Sequence, residues 1–306
     1  MKPRASADAH EKIVADRAAC RGRLEEKLIE EGEHEFARRL GKCGMPLRLV
    51  CVCCGILKDV LTRCDLKWCP SCQHALAART ADRYARIMTL CQWPLRVTFT
   101  AKNFAYGELS GLRELRRAWG KLRRLRWFRR RVPGGVVGFE VTDTGHGYHV
   151  HAHGLFDCRW LAVDECEPAR TCNRDSWKKK AKAAASEVAE QWSICCGRPA
   201  SVQVRRVWKR DGNNIGPALA ETLKYSVKGT DLADSDRPAG PIIGMLDGTR
   251  MVTSFGTFHG KPECKRVRLA ASPCECGAVG SLMPEEAVLA SATGSDGLTS
   301  RQRRKR

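Results

Sequence analysis

Three histidines alternate along one short segment, YHVHAHGLF at 148–156. Residues two apart project from the same face of a β-strand, so we expect the imidazoles of His149, His151 and His153 to share one face. Neighbouring imidazoles on one strand face can share a divalent ion and leave positions open for a substrate. The alternative is a polar strand whose histidines simply face solvent.

An acidic residue lies on the segment that precedes the histidines. Residues 136–142 are predicted to form a strand, and DTGHG at 143–147 predicts the turn of a hairpin. This turn would place Thr142 opposite Tyr148 and Glu140 opposite Val150. One residue of bulge would then bring Glu140 beside the histidines, where its carboxylate could complete a three-ligand site.

A tyrosine lies among charged residues in ETLKYSVK, within a helix predicted over 217–228. Residues three and four apart share a helix face, so Glu221, Tyr225 and Lys228 should line up. A tyrosine oxygen beside Lys224 and Lys228 can attack phosphorus, and Glu221 can act as a base toward it or toward water. The alternative, if this motif is considered by itself, is that Tyr225 is a packing residue of the helix.

Composition indicates a polyanionic partner. The chain has 306 residues, enough for one large domain or two ordinary ones, and 54 Lys and Arg against 34 Asp and Glu give a net charge of +20. This surplus favours nucleic acid as the partner. No apolar run approaches the roughly 20 residues of a membrane-spanning helix, and the polar N-terminus leads us to expect a cytoplasmic protein.

The cysteines of the chain are clustered. In a reducing compartment, clustered cysteines are typical of metal ligands rather than of disulfides. The pairs Cys51/Cys54 and Cys69/Cys72 have the Cys-x2-Cys spacing of structural zinc sites, and we expect them to bind Zn²⁺. Cys64 competes with them as a ligand, as does Cys53. Such an ion would fix the N-terminal segment and its basic helix against DNA.

A second zinc site near the C-terminus is a separate hypothesis. Its spacing matches no strong rule for metal ligands. The residues that it would use are His259, Cys264, Cys274 and Cys276.

A long basic helix is predicted from Glu108 to Arg131, with apolar residues along one face. Its arginines suit DNA phosphates and its tryptophan suits base stacking, although a helix can carry such residues merely to cover a core. The candidate DNA-binding residues are Arg123, Arg124, Arg126, Trp127, Arg129 and Arg130.

The order of predicted elements is strand, helix, hairpin, helix, strand, helix. This order predicts an α+β fold with a mainly antiparallel sheet and helices packed on it. The predicted divisions are a charged helical segment at 1–46, a zinc-binding cysteine segment with a basic helix at 47–91, a central domain at 92–260, and a cysteine-containing segment with a disordered basic tail at 261–306.

Three motifs, taken in order, resemble those of rolling-circle plasmid replication initiators, a branch of the HUH endonucleases. They are LRVTFTAKN, then GFEVT with HVHAHGLF, then ETLKYSVKGTD. RCDLKWCPSCQ resembles the cysteine motif upstream of the nuclease domain in these initiators, and MLDGTRMVTSFGTF resembles their downstream strand region. The resemblance covers roughly residues 47–260. Val150 departs from it, since such initiators often have proline there, as does the cysteine-bearing insertion 157–175.

The resemblance implies an HUH nuclease fold at 92–260 and a site-specific endonuclease. Two of the three histidines would bind Mg²⁺ or Mn²⁺, with His151 and His153 preferred, and Tyr225 would nick one strand at the plasmid origin. The intermediate would be a 5′-phosphotyrosine. Because one tyrosine sits in the motif, Glu221 is placed to activate water for the terminating cleavage. The implied partners are origin DNA, as a hairpin or a single-stranded nick site, a host helicase and polymerase, and a second copy in a homodimer.

Two other functions fit parts of this pattern. An HUH transposase or conjugative relaxase shares the tyrosine and metal chemistry, although the short chain without a P-loop pattern favours a small initiator that uses a host helicase. A non-catalytic, zinc-dependent DNA-binding regulator would instead bury Tyr225 in its core and use the histidines for structural zinc. An open metal site argues against a regulator.

Overall fold

The structure is a computed structural model with two compact units. The first unit contains 1–41 and 65–265, and the second contains 42–64 and 266–306. The four-part division expected from composition stays a prediction. The structure describes residues 7–89, 91–106, 108–143, 145–163, 173–207, 219, 222–223, 229–260, 276 and 282–284.

Helices and strands both contribute to the fold, and no helix among the described residues has the length and apolar composition that a membrane span requires. The helices are α1 Ala7–Glu30, α2 His34–Gly41, α3 Cys72–Thr89, α4 Gly111–Leu122, α5 Arg126–Arg131, α6 Arg174–Cys196, α7 Gly229–Asp234 and α8 Gly240–Leu246. The strands are β1 Pro46–Cys51, β2 Leu57–Leu61, β3 Pro94–Ala101, β4 Gly134–Asp143, β5 Tyr148–Asp157, β6 Ala200–Arg206, β7 Val252–Gly256 and β8 Leu282–Pro284.

The first unit is built on a five-stranded sheet in the order β6-β3-β5-β4-β7. Every neighbouring pair in it is antiparallel, which confirms the predicted α+β class with an antiparallel sheet. Strand β5 is central because β3 and β4 pair with its two edges. The histidine strand therefore lies in the middle of the sheet, with partners on both sides.

One face of this sheet carries an aromatic core. Trp119 of α4 stacks on Phe156 with ring centroids 5.9 Å apart, and Trp192 of α6 lies 5.2 Å from Phe99. Phe128 of α5 meets Phe156 edge-on at 5.9 Å. Burial of these large rings is the main apolar contribution that holds α4, α5 and α6 on this face.

The opposite face is apolar at one end and polar beyond it. Val136 of β4 and Leu155 of β5 form one buried cluster with Leu219 and Leu223, to which Tyr84 of α3 also belongs. The backbone N–H of Leu223 donates to the carbonyl of Leu219, four residues earlier, at 2.9 Å. Leu219 and Leu223 therefore pack on the same face of the sheet as the histidines.

The long basic helix predicted from Glu108 to Arg131 is two helices. Helix α4 ends at Leu122, and Leu125 has an extended backbone (φ −61°, ψ 136°) before α5 begins. The break turns the chain so that Phe128 enters the aromatic core. The prediction of one continuous helix over 108–131 was therefore wrong. Burial of the Phe128 ring in the core outweighs the helix propensity of the residues between α4 and α5.

The second unit contains a three-stranded antiparallel sheet in the order β2-β1-β8. Arg48 and Asp59 face each other across the β1–β2 hairpin and form an ion pair of 3.0 Å. Strand β8 adds to the other edge of β1, so residues more than 220 positions apart share one sheet.

Candidate active site

The β4–β5 hairpin places Glu140 directly opposite His151 and Thr142 opposite His149. The register predicted from the sequence, with Glu140 opposite Val150, was one residue out. Strand pairing continues to Asp143 and Tyr148, and the Asp143 carboxylate accepts a hydrogen bond from the N–H of Gly145 at 2.9 Å. The turn is therefore shorter than expected, and no bulge is needed to bring Glu140 to the histidines.

The three imidazoles form a row on the polar face of the sheet. Ring centroids of His149 and His151 lie 4.0 Å apart, and those of His151 and His153 lie 5.6 Å apart. All three residues are half-buried, and only 12% of the His153 side chain is exposed. His153 is the member of the row that is nearest in sequence to Leu155 of the buried apolar cluster.

His151 and His153 are each held by a threonine of β3. The Thr100 hydroxyl lies 3.0 Å from Nδ1 of His151, and the Thr98 hydroxyl lies 3.2 Å from Nδ1 of His153. Such partners fix ring orientation and tautomer in metal-ligating histidines. Thr98 and Thr100 were not among the predicted site residues, although their alternation in LRVTFT is a pattern that could have indicated them.

Glu140 completes the group from β4. Its Oε2 lies 2.9 Å from Nε2 of His153, and its side chain is 7% exposed. A hydrogen bond between the two side chains accounts for this distance, which is also close to the separation, about 3.0 Å, of two ligand atoms that bind one octahedral ion at right angles. Among the described residues, no three ligand atoms from this set lie within 4.8 Å of one another. An ion held by Glu140 and His153 would thus take its other ligands from water or a rotated imidazole.

Burial lowers the pKa of His149, and the nearby Glu140 carboxylate opposes that shift. The lowered pKa keeps this imidazole neutral at neutral pH. Neutral imidazole is the form that binds a metal ion, so His149 is ready to act as a ligand without first losing a proton.

Next to this group, the backbone at Thr222 comes close to β4. A Cβ atom built on Gly138 would stand 2.4 Å from the carbonyl oxygen of Thr222, and Gly138 pairs with His153 across the sheet. Thr222 and Leu223 are 1% and 2% exposed. The chain at 222–223 therefore crosses the face that carries the histidines, and it does so because position 138 has no side chain.

The residues proposed to react in this segment, Glu221, Lys224, Tyr225 and Lys228, lie outside the described residues. Tyr225 follows Thr222 by three positions in the sequence.

The candidate DNA-binding arginines lie in α5 and in the break between α4 and α5, on the side of the sheet that carries the aromatic core. Trp127 is half-buried and meets Phe128 edge-on at 5.6 Å, which limits it as a stacking platform. On the histidine face, Arg205 of the edge strand β6 is exposed and pairs with Arg96. All five candidate arginines are exposed, namely Arg123, Arg124, Arg126, Arg129 and Arg130.

The second unit contains a group of cysteines that could hold a metal ion. The Sγ atoms of Cys51, Cys54 and Cys276 lie within 4.8 Å of one another. Cys64 is half-buried in the same unit.

The other predicted zinc ligands are distributed differently. Cys69 and Cys72 are buried in the first unit, with their Sγ atoms within 4.8 Å of each other. His259 is also in the first unit, whereas Cys276 is in the second. Cys264 and Cys274, which the second zinc hypothesis also used, lie outside the described residues.

Comparisons of the chain with protein families, with curated proteins and with solved structures found no match.

Proposed function

We propose that this protein nicks and rejoins single-stranded DNA at a plasmid origin, as a rolling-circle replication initiator of the HUH type. The observation that carries the proposal is the approach of Thr222 to Gly138, beside the buried pair of Glu140 and His153. Thr222 contacts the histidine face and precedes Tyr225 by three positions, which supports a role for that tyrosine at this face. The net charge of +20 suits a DNA substrate.

Tyr225 is the nucleophile in this proposal. Its phenolic oxygen forms a bond to phosphorus while the bond from phosphorus to the 3′-oxygen breaks, which leaves a 5′-phosphotyrosine and a free 3′-hydroxyl. The phenolic proton passes to Glu221 or water, and the departing 3′-oxygen takes a proton from water. When bound to Glu140 and His153, Mg²⁺ or Mn²⁺ would neutralise charge that develops on the phosphate.

Termination requires a second cleavage. Glu221 lies four residues before Tyr225, so it would act on the same segment as a base toward water. The first cleavage supplies a 3′-hydroxyl primer but neither copies the DNA nor opens the duplex. A host polymerase would therefore extend the primer, and a host helicase would separate the strands. Zn²⁺ bound by cysteines would be a second, structural metal.

Incubation with supercoiled plasmid that carries the gene and its flanking DNA tests this function. We expect nicked circles and a protein–DNA adduct that survives detergent with Mn²⁺ or Mg²⁺, and neither with EDTA. The nick position would identify the origin. Tight binding without a nick or an adduct under any metal would contradict the proposal and support a zinc-dependent regulator.

The threonine beside His151 provides a sharper prediction. Thr100→Val keeps the shape of the side chain but removes the hydroxyl 3.0 Å from Nδ1, so the ring loses its orientation. We expect nicking to fall about tenfold to a hundredfold, with the loss partly restored by higher Mn²⁺ concentration.

The matched control is Thr253→Val, a half-buried threonine on β7, which pairs with Val137 on the aromatic side of the sheet. It should nick at the wild-type rate. Equal losses in the two variants would argue against a specific role for the Thr100 hydroxyl.

A further inference from the structure

The turn between β1 and β2 has the form of a metal-binding knuckle. Cys51 and Cys54 flank it, and Gly55 follows with φ +73°, in the left-handed region that favours glycine. The Gly55 N–H donates to the carbonyl of Cys51 at 2.7 Å, and the Cys51 N–H donates to the carbonyl of Ile56 at 2.9 Å. This tight turn brings the two thiols to the same side of the hairpin.

A third thiol arrives from the far end of the chain. The Sγ atom of Cys276 lies 3.8 Å from that of Cys51, and both lie within 4.8 Å of the Sγ atom of Cys54. Two thiolates about 2.3 Å from one tetrahedral ion lie about 3.8 Å apart, whereas bonded sulfurs of a disulfide lie about 2.05 Å apart. The observed separation therefore fits shared coordination of an ion.

The strand that follows Cys276 is short. Strand β8 contains three residues, Leu282–Pro284, and Cys51 pairs with Leu282 across the sheet. A three-residue edge strand is short for a stable pairing in water. A metal bond at Cys276 would fix the chain six residues before this strand, and so would shorten the loop that must be ordered.

We propose that Cys51, Cys54 and Cys276 bind one Zn²⁺ that ties β8 to the β1–β2 hairpin. The three thiols lose their protons to the solvent as the ion binds, and each sulfur donates a lone pair to zinc. A fourth ligand completes the tetrahedron, and thiolate-rich sites of this kind are structural. The ion is independent of DNA cleavage, so the proposal does not rest on the function of the histidine face.

Zinc content of the purified full chain under reducing conditions tests the proposal. Cys276→Ser should hold one zinc ion fewer per chain than the wild type, measured by mass spectrometry of the metal. The control is Cys196→Ser, which removes a half-buried cysteine of α6 that belongs to no metal-binding group among the described residues. This control should keep the wild-type zinc content.

A second variant separates coordination from packing. Cys276→His supplies another zinc ligand, so it should keep the ion that Cys276→Ser loses. With Co²⁺ in place of zinc, the ultraviolet thiolate-to-cobalt band should be weaker in Cys276→His than in the wild type. Full zinc content in Cys276→Ser, or equal loss of the ion in the serine and histidine variants, would overturn the proposal.

Discussion

Tyr225→Phe should abolish the covalent protein–DNA adduct and lower the nicking rate at least about 1,000-fold, because phenylalanine has no oxygen to attack phosphorus. Affinity for uncleaved origin DNA should stay close to that of the wild type, since one hydroxyl is removed and no charge changes. The rate is measured on supercoiled plasmid with Mn²⁺, the adduct by its resistance to detergent, and the affinity by gel shift.

The other tyrosines of the chain supply the control. The chain has four tyrosines, and the three besides Tyr225 are described. Tyr84 is buried in an apolar cluster, Tyr148 points away from the histidines, and the Tyr106 hydroxyl donates to Asp143 at 2.7 Å. Tyr106→Phe loses only that hydrogen bond and should still form the adduct. An adduct that survives in Tyr225→Phe but is absent in Tyr106→Phe would refute the assignment of the nucleophile.

Period-two patterning was enough to predict the strands around the site, but it did not fix their register. The alternation of His149, His151 and His153 predicts a shared face whatever the strand pairs with. The partner of each residue depends on where pairing stops at the turn. Here the Asp143 carboxylate accepts a hydrogen bond from the Gly145 N–H within the turn. The turn sequence DTGHG does not by itself determine at which residue strand pairing stops.

Contacts between distant parts of the chain could not be predicted from local patterns. Cys51 and Cys276 are 225 residues apart, and the pairing of β8 with β1 joins the two parts of the chain that carry them. The sequence contains two cysteine pairs with the spacing of zinc ligands, but spacing alone does not indicate which cysteines bind the same ion. Similarly, Gly138 looks like an ordinary strand glycine until the path of Thr222 over it is known.

Gly138→Ala should slow nicking about a hundredfold while DNA binding changes little. The new Cβ atom would stand 2.4 Å from the carbonyl oxygen of Thr222, so the segment at 222–223 must move by about 1 Å to reach van der Waals contact. A displacement of that size in a reacting group can cost about a hundredfold in rate. Overpacking should also lower the free energy of unfolding by about 1–3 kcal/mol.

A matched glycine distinguishes this effect from a general loss of stability. A Cβ atom on Gly120 of α4 meets nothing within 4 Å, so Gly120→Ala should nick at the wild-type rate and be up to about 1 kcal/mol more stable. Nicking is measured as adduct formed per minute at saturating DNA, below the unfolding temperature of every variant. A wild-type rate of adduct formation in Gly138→Ala would show that the reacting tyrosine does not depend on the position of residues 222–223. The approach of Thr222 to Gly138 would then no longer support the proposed function. A selective loss in Gly138→Ala would instead tie the chemistry to the face shared by Glu140 and His153.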